Sequence, residues 1–183
     1  MVMLPPSTLP TIVPALKQQL GLANVWELPR LRQVVVSVGL GPALQNPKFT
    51  EVVTATLRKI TGQQPVPTLA RQSISNFKIR QGQVVGLKVT LRGERMRSFV
   101  AKLVRVTLPR VRDFRGIDPA SVDGSGNLSL GIKEHLAFPE IAPDEVEQIH
   151  GVEVTIVTTA RRRADGLTLL TLLGVPFRRA SAG

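Results

Sequence analysis

The sequence predicts an α+β protein in which helices pack on one side of a sheet and the other side of the sheet is left polar. Two patterns carry this. From Gln83 to Arg92, Val85, Leu87, Val89 and Leu91 alternate strictly with Gly86, Lys88, Thr90 and Arg92, the two-residue period of a strand with one apolar face. Such β-branched runs are separated by stretches with helical spacing, such as Val53, Leu57 and Ile60, or Met96, Phe99, Val100 and Leu103. With 183 residues, 43% of them hydrophobic, the chain is long enough for one well-buried core and short for two. A single α+β domain over 33–179 is expected, preceded by a helix and connector (1–32) and followed by a short tail (180–183).

Taken in order, Pro10 to Leu20 reads as a helix with Thr8 as a candidate cap, Gly21 as its stop, and Ile12, Ala15, Leu16 and Leu20 as its apolar stripe. Asn24 to Arg32 contains Pro29, has no clear period and reads as a connector. Gln33 to Gly39 is a nearly continuous β-branched run, which suits a central strand buried on both faces or nearly so. Asn46-Pro47 then offers an N-cap and a Pro at the first helical position, opening a helix to Thr61 with Gly62 as its stop. Val66 to Ala70 is a second strand, which Pro67 keeps at an edge or bulge. Arg71 to Gln83 is a long polar hairpin loop around a lone aromatic, Phe77.

Glu94 to Leu108 is the second long helix, ended by Pro109. Asp123 to Asn127 (DGSGN) is a strong turn signal before a strand at Leu128 to Ile132, and Val152 to Thr158 alternates as another. Pro143, Asp144 and Glu145 resemble the acidic first turn of a short helix. Leu167 to Leu173 closes the chain with a final helical turn or two before Gly174 and Pro176.

Charge is partitioned sharply. Arg71 to Arg115 holds twelve Lys or Arg against two acids, Glu94 and Asp113, and so carries nearly all of the net +11. A sequence pI near 11.4 implies attraction to polyanions. No apolar run reaches the length of a membrane span, and no basic amphipathic stretch carries the aromatics of an interfacial helix, so nucleic acid is the expected partner. Gly116 to Ala160 reverses sign, with eight acids against Lys133 alone, and should face water or a basic partner.

Several chemistries are excluded. Zero Cys removes disulfides, thiolate metal sites and thiol nucleophiles. His135 and His150 lack a third partner, so no metal is expected, and each reads as a surface or satisfied polar side chain. VVVSVGLGPAL suggests a dinucleotide fingerprint, but Leu44 stands at the third small position, Pro42 removes an amide, and Arg58 and Lys59 stand where an acid should hold a ribose. No credible nucleophile or acid–base pair appears, and neither enzyme activity nor a cofactor is expected. The N-terminus has no basic residue before Lys17 and so lacks a secretory or transit pattern, which points to the cytoplasm.

What remains is a nucleic-acid platform. On the polar strand face Lys88 and Arg92 can neutralise phosphates, Thr90 can donate a hydrogen bond, and Gly86 can let a backbone approach. The bland alternative is a solvated outer face. In the loop, basic residues around Phe77 can grip a backbone while the ring stacks on a base; the alternative is a ring tucked into the core.

Five blocks carry a resemblance that covers most of the chain, from about Val34 to Arg179: NFKIRQG (Asn76 to Gly82), KVTLRGERM (Lys88 to Met96), LPRVRDFRG (Leu108 to Gly116), FPEI (Phe138 to Ile141) and GVEVTIVTTA (Gly151 to Ala160). In this order and register they closely resemble the bacterial-type large-subunit ribosomal protein five family, which binds 5S rRNA. The resemblance implies a mixed, mainly antiparallel sheet with helices on one face, like RNA-recognition two-layer folds. It implies a structural protein of the large subunit's central protuberance, with 5S rRNA, 23S rRNA and neighbouring large-subunit proteins as partners. The family's RNA contacts map onto Gln63, Thr90 and Arg92, and onto Ser37 where relatives usually have Asn; Lys88 lies among them.

The loop holding Arg71, Ser73, Asn76, Phe77, Lys78, Arg80 and Gln81 resembles the family hairpin that approaches peptidyl-site tRNA. By position, Asp144, Glu145 and Glu147 are implied contacts to a basic small-subunit head protein in an intersubunit bridge. Arg161, Arg162 and Arg163 depart from the family, whose members often have acids opening the last helix. Two other classes compete: an extraribosomal nucleic-acid-binding regulator, and a nucleotide-dependent enzyme suggested only by Gly39 and Gly41.

Overall fold

The computed structural model describes residues 8–22, 24–41, 48–142, 146 and 148–178. The elements are α1 (Thr8–Leu20), β1 (Leu31–Gly39), α2 (Lys48–Thr61), β2 (Val66–Leu69), β3 (Val84–Leu91), α3 (Gly93–Lys102), α4 (Leu108–Arg110), β4 (Leu128–Ile132), β5 (Val152–Thr158) and α5 (Arg163–Leu172). The strands form a five-stranded antiparallel sheet in the order β2-β3-β1-β5-β4, so the α+β two-layer class holds. The chain divides into two compact units, one drawn from 1–34, 92–130 and 155–183, the other from 35–91 and 131–154. The Asn46-Pro47 cap and the short helix expected at Pro143 to Glu145 fall outside the described residues.

In the second unit, β3 follows its alternation: Leu87, Val89 and Leu91 are buried and Lys88 is exposed. Helix α2 packs on β3. Its helical spacing buries Phe49, Val53, Leu57 and Ile60 on one side, each contributing about 1.5–3 kcal/mol by leaving water. Pro67 sits at the sheet edge, as its missing N–H requires, on a strand with Val66 and Leu69 more than half exposed. Strand β1 is central, as expected, but less buried than expected. Val36 and Val38 are buried while Val35 and Ser37 are only partly so, which leaves one face open. A run of Val suits either face, so composition alone overstated the burial.

Of the two histidines, His135 keeps to the satisfied role and His150 departs from it. Both are buried, their rings stacked with centroids 4.0 Å apart, and Phe49 meets His150 edge-on at 5.8 Å. His135 Nδ1 lies 3.3 Å from the His150 carbonyl and backbone nitrogen, and His150 Nδ1 lies 3.4 Å from the Gln148 carbonyl. His150 Nε2 is buried without a hydrogen-bond partner among the described residues. Desolvation, and then the neighbouring His135, push the His150 pKa down to about 4; desolvation also lowers that of His135.

In the first unit, α1 packs against α5 through a cluster of Ile12, Leu16, Leu28 and Leu169. The second long helix does not stop before Pro109. A π turn, Leu103–Thr107, intervenes, with Leu108 N–H donating to the Leu103 carbonyl five residues back, and the helix resumes through Arg110. Pro109 can neither donate to the Arg105 carbonyl nor pack tightly against it, and a widened turn relieves both conflicts. The DGSGN turn forms as expected. Asp123 Oδ1 accepts from Ser125 N–H at 2.9 Å and Asn127 N–H at 2.8 Å, bonds that lower its pKa. Helix α5 starts at Arg163, earlier than the apolar spacing alone indicated, and its cap residue Arg162 makes no side-chain capping bond.

Candidate nucleic-acid interface

Alternation along neighbouring strands gives the sheet its open face. On β3, Lys88 is exposed and Thr90 half-buried; on β1, Ser37 is half-buried and points the same way by parity. Gly86 was expected to admit a nucleic-acid backbone, and the close approach is instead made within the protein. A Cβ there would sit 2.8 Å from Thr68 Oγ1 and 3.1 Å from the Val38 carbonyl. Arg92, just past β3, is the N-cap residue of α3, and its Nη2 donates to Gln33 Oε1 at 2.8 Å. That bond holds the guanidinium in place while leaving its other donors available.

Gln63 lies between α2 and β2. Its N–H donates to Thr61 Oγ1 at 3.3 Å and its carbonyl accepts from the same hydroxyl at 3.2 Å, so the connection is clamped at the helix end. Ser37 donates to Glu153 Oε2 on β5 at 3.3 Å. The open face is therefore not uniformly basic. Glu153 repels phosphate and can only accept hydrogen bonds, so beside Ser37 it favours a ligand that presents donors as well as phosphates. Strand parity marks Glu153 as outward; only the pairing of β5 with β1 reveals its partner.

The hairpin between β2 and β3 is stitched to its tip. Ala70 and Gln83 pair at 2.8 Å, Ile74 and Ile79 form an isolated antiparallel bridge, and Gln81 N–H donates to Ser73 Oγ at 2.9 Å. A 3₁₀ turn, Ser75–Phe77, makes the tip. Phe77 is 66% exposed there, which settles its placement against a core anchor. Lys78 takes a left-handed backbone (φ 53°), held by its N–H donating to the Ser75 carbonyl at 3.0 Å. A strained non-glycine residue beside an exposed ring at the tip of a braced loop suits contact with a ligand. Arg71, Ser73, Asn76, Arg80 and Gln81 are also exposed along the loop. Asp144, Glu145 and Glu147 lie outside the described residues, among which no cluster of acids and histidines is placed to hold a metal ion.

Two family models match the chain. The model for ribosomal protein L5 covers residues 24–80, and that for the ribosomal L5P family C-terminus covers 84–177. The large ribosomal subunit protein uL5 of Carboxydothermus hydrogenoformans is 49% identical over 92% of this chain and 94% of its own length. The proteins of the same name from Heliobacterium modesticaldum (52% identical, 90% and 91% covered) and Thermotoga maritima (51% identical, 92% and 91% covered) are similar to the same extent.

Proposed function

The chain belongs to the ribosomal protein L5 family, and from that premise we propose that it binds 5S rRNA through Ser37, Gln63, Lys88, Thr90 and Arg92. Family membership makes it a structural protein of the large ribosomal subunit, serving translation in the cytoplasm, and not an enzyme. The observation that best supports the finer reading is the open face of β1 and β3, where Lys88, Thr90 and Ser37 face outward over a buried apolar layer. Such a face meets RNA by phosphate contacts for position and hydrogen bonds for fit.

The braced, basic hairpin is the proposed contact to peptidyl-site tRNA. Lys78 and Arg80 meet phosphates there, which suits a site that must accept every tRNA. The acidic segment holding Asp144, Glu145 and Glu147 is the proposed contact to a basic small-subunit head protein, by charge complementarity. Within the central protuberance, 23S rRNA and neighbouring large-subunit proteins complete the proposed partners.

Titration of the protein with 5S rRNA against excess tRNA, at several salt concentrations, tests the main claim. Binding that survives the competitor with a moderate salt slope is expected of a shaped site. Complete displacement by tRNA would move the extraribosomal regulator to the front. The division of surfaces has its own test: Lys78→Ala with Arg80→Ala should weaken tRNA contact several-fold and leave 5S rRNA affinity within about twofold, since each lost phosphate contact is local. Equal loss of both would reject separate surfaces.

A further inference from the structure

Trp26 is the chain's only tryptophan and is 82% exposed. Local structure holds it there. Asn24 Oδ1 accepts from Trp26 N–H at 3.0 Å, and the N–H groups of Glu27 and Leu28 close on the carbonyls of Asn24 and Val25 at 3.3 Å each. Leu28 is buried in the α1–α5 cluster, pinning the turn two residues past the indole. Arg30 then pairs with Thr159, donating to its hydroxyl at 3.0 Å and accepting from its N–H at 2.9 Å.

That pairing brings the arginine run next to the tryptophan. A cavity of about 430 Å³ is lined by Trp26, Arg30, Arg161 and Arg162, with Glu27 and Asp165 on its wall. Among the described residues none of these three guanidinium groups has a carboxylate partner within salt-bridge distance, although two acids share the groove. We propose that this groove binds one nucleotide of single-stranded RNA, the base stacked on Trp26 and the phosphates held by Arg161 and Arg162. The inference rests on the RNA-binding reading for the class of its partner and assigns a role to residues other than Lys88, Thr90 and the hairpin.

The chemistry favours RNA over an acidic peptide. An open indole face stacks on any base, and planar guanidinium forks match phosphate oxygens two at a time. The cavity falls in the size range of small-ligand pockets. Glu27 and Asp165 supply acceptors for base amino groups and are outnumbered by the arginines.

Because the chain has one Trp and no Tyr, its intrinsic emission reports this groove directly. Titration of the full chain with a mixed-sequence single-stranded RNA hexamer should quench that emission saturably. Two phosphate contacts predict a slope of log affinity on log salt of about −1.4. Arg161→Ala with Arg162→Ala, both at exposed positions, should weaken the interaction about 10-fold or more, and Thr90→Val with Arg92→Ala should leave it unchanged. Absence of quenching, quenching that persists in the arginine variant, or quenching lost in the sheet variant would each overturn the proposal. Quenching by oligoglutamate in place of RNA would assign the groove to a protein partner and overturn it likewise. Measuring 5S rRNA affinity on the parent protein separates the two readings: hexamer quenching without 5S binding counts against the sheet face alone, and 5S binding without hexamer quenching against the groove alone.

Discussion

Gly166→Ala is expected to lower the unfolding free energy by about 3 kcal/mol and the Tm by about 6–12 °C, one of the two largest effects the structure predicts. The reason is backbone against backbone. A Cβ at Gly166, in the first turns of α5, would run into the Gly126 Cα and sit 2.5 Å from its carbonyl oxygen. Gly126 cannot retreat cheaply. It has φ +78°, its carbonyl accepts from buried Thr158 Oγ1 at 3.0 Å, and its own Cβ position would meet Ala160 at 2.7 Å. Gly124, in the same turn with nothing within 4 Å of its Cβ position, is the control, and Gly124→Ala should change stability by less than about 0.5 kcal/mol. Thermal denaturation of both variants decides it; a Gly166→Ala protein as stable as the parent would show that this contact is not tight.

The second large effect is a loss of stability in mild acid. An unfolded histidine titrates near 6.5, and folding lowers the His150 pKa to about 4 because its ring is buried against Phe49 and His135. The folded state then binds fewer protons than the unfolded one between these values. Stability is full above about pH 6.5 and falls as pH drops towards 4, by about 3 kcal/mol at the limit, with His135 adding in the same direction. Urea midpoints at pH 7, 6, 5 and 4 measure the slope. His150→Phe keeps an aromatic ring and removes a buried nitrogen without a partner, so it should flatten the curve over this range. The same slope in the variant and the parent would locate the acid sensitivity elsewhere.

Local patterns in the sequence were read correctly where one dimension is enough. The period of two in β3, the helical stripe of α2, the edge position forced on β2 by Pro67 and the Asp123 turn are each properties of a few consecutive residues, and each forms as expected. The hairpin was legible for the same reason: a thirteen-residue stretch between two strands with nine polar residues, three of them basic, has little to bury in a core. Pro109 marked a real conflict, but the sequence could not show that a π turn would absorb it, since that depends on how much burying the rest of the helix is worth.

By itself, then, the sequence determined the α+β class, the basic and acidic partition of the chain and the polar side of β3, because periodicity and charge are carried by neighbours along the chain. Tertiary structure alone decided that Ser37 meets Glu153, that His135 stacks on His150, that Gly86 is filled from Thr68, and that Trp26 shares a groove with Arg161 and Arg162. These pairs are far apart in the chain and are joined by strand order and by chain segments pairing side by side. That choice rests on many small burial terms summed over the whole fold, and no local pattern encodes it.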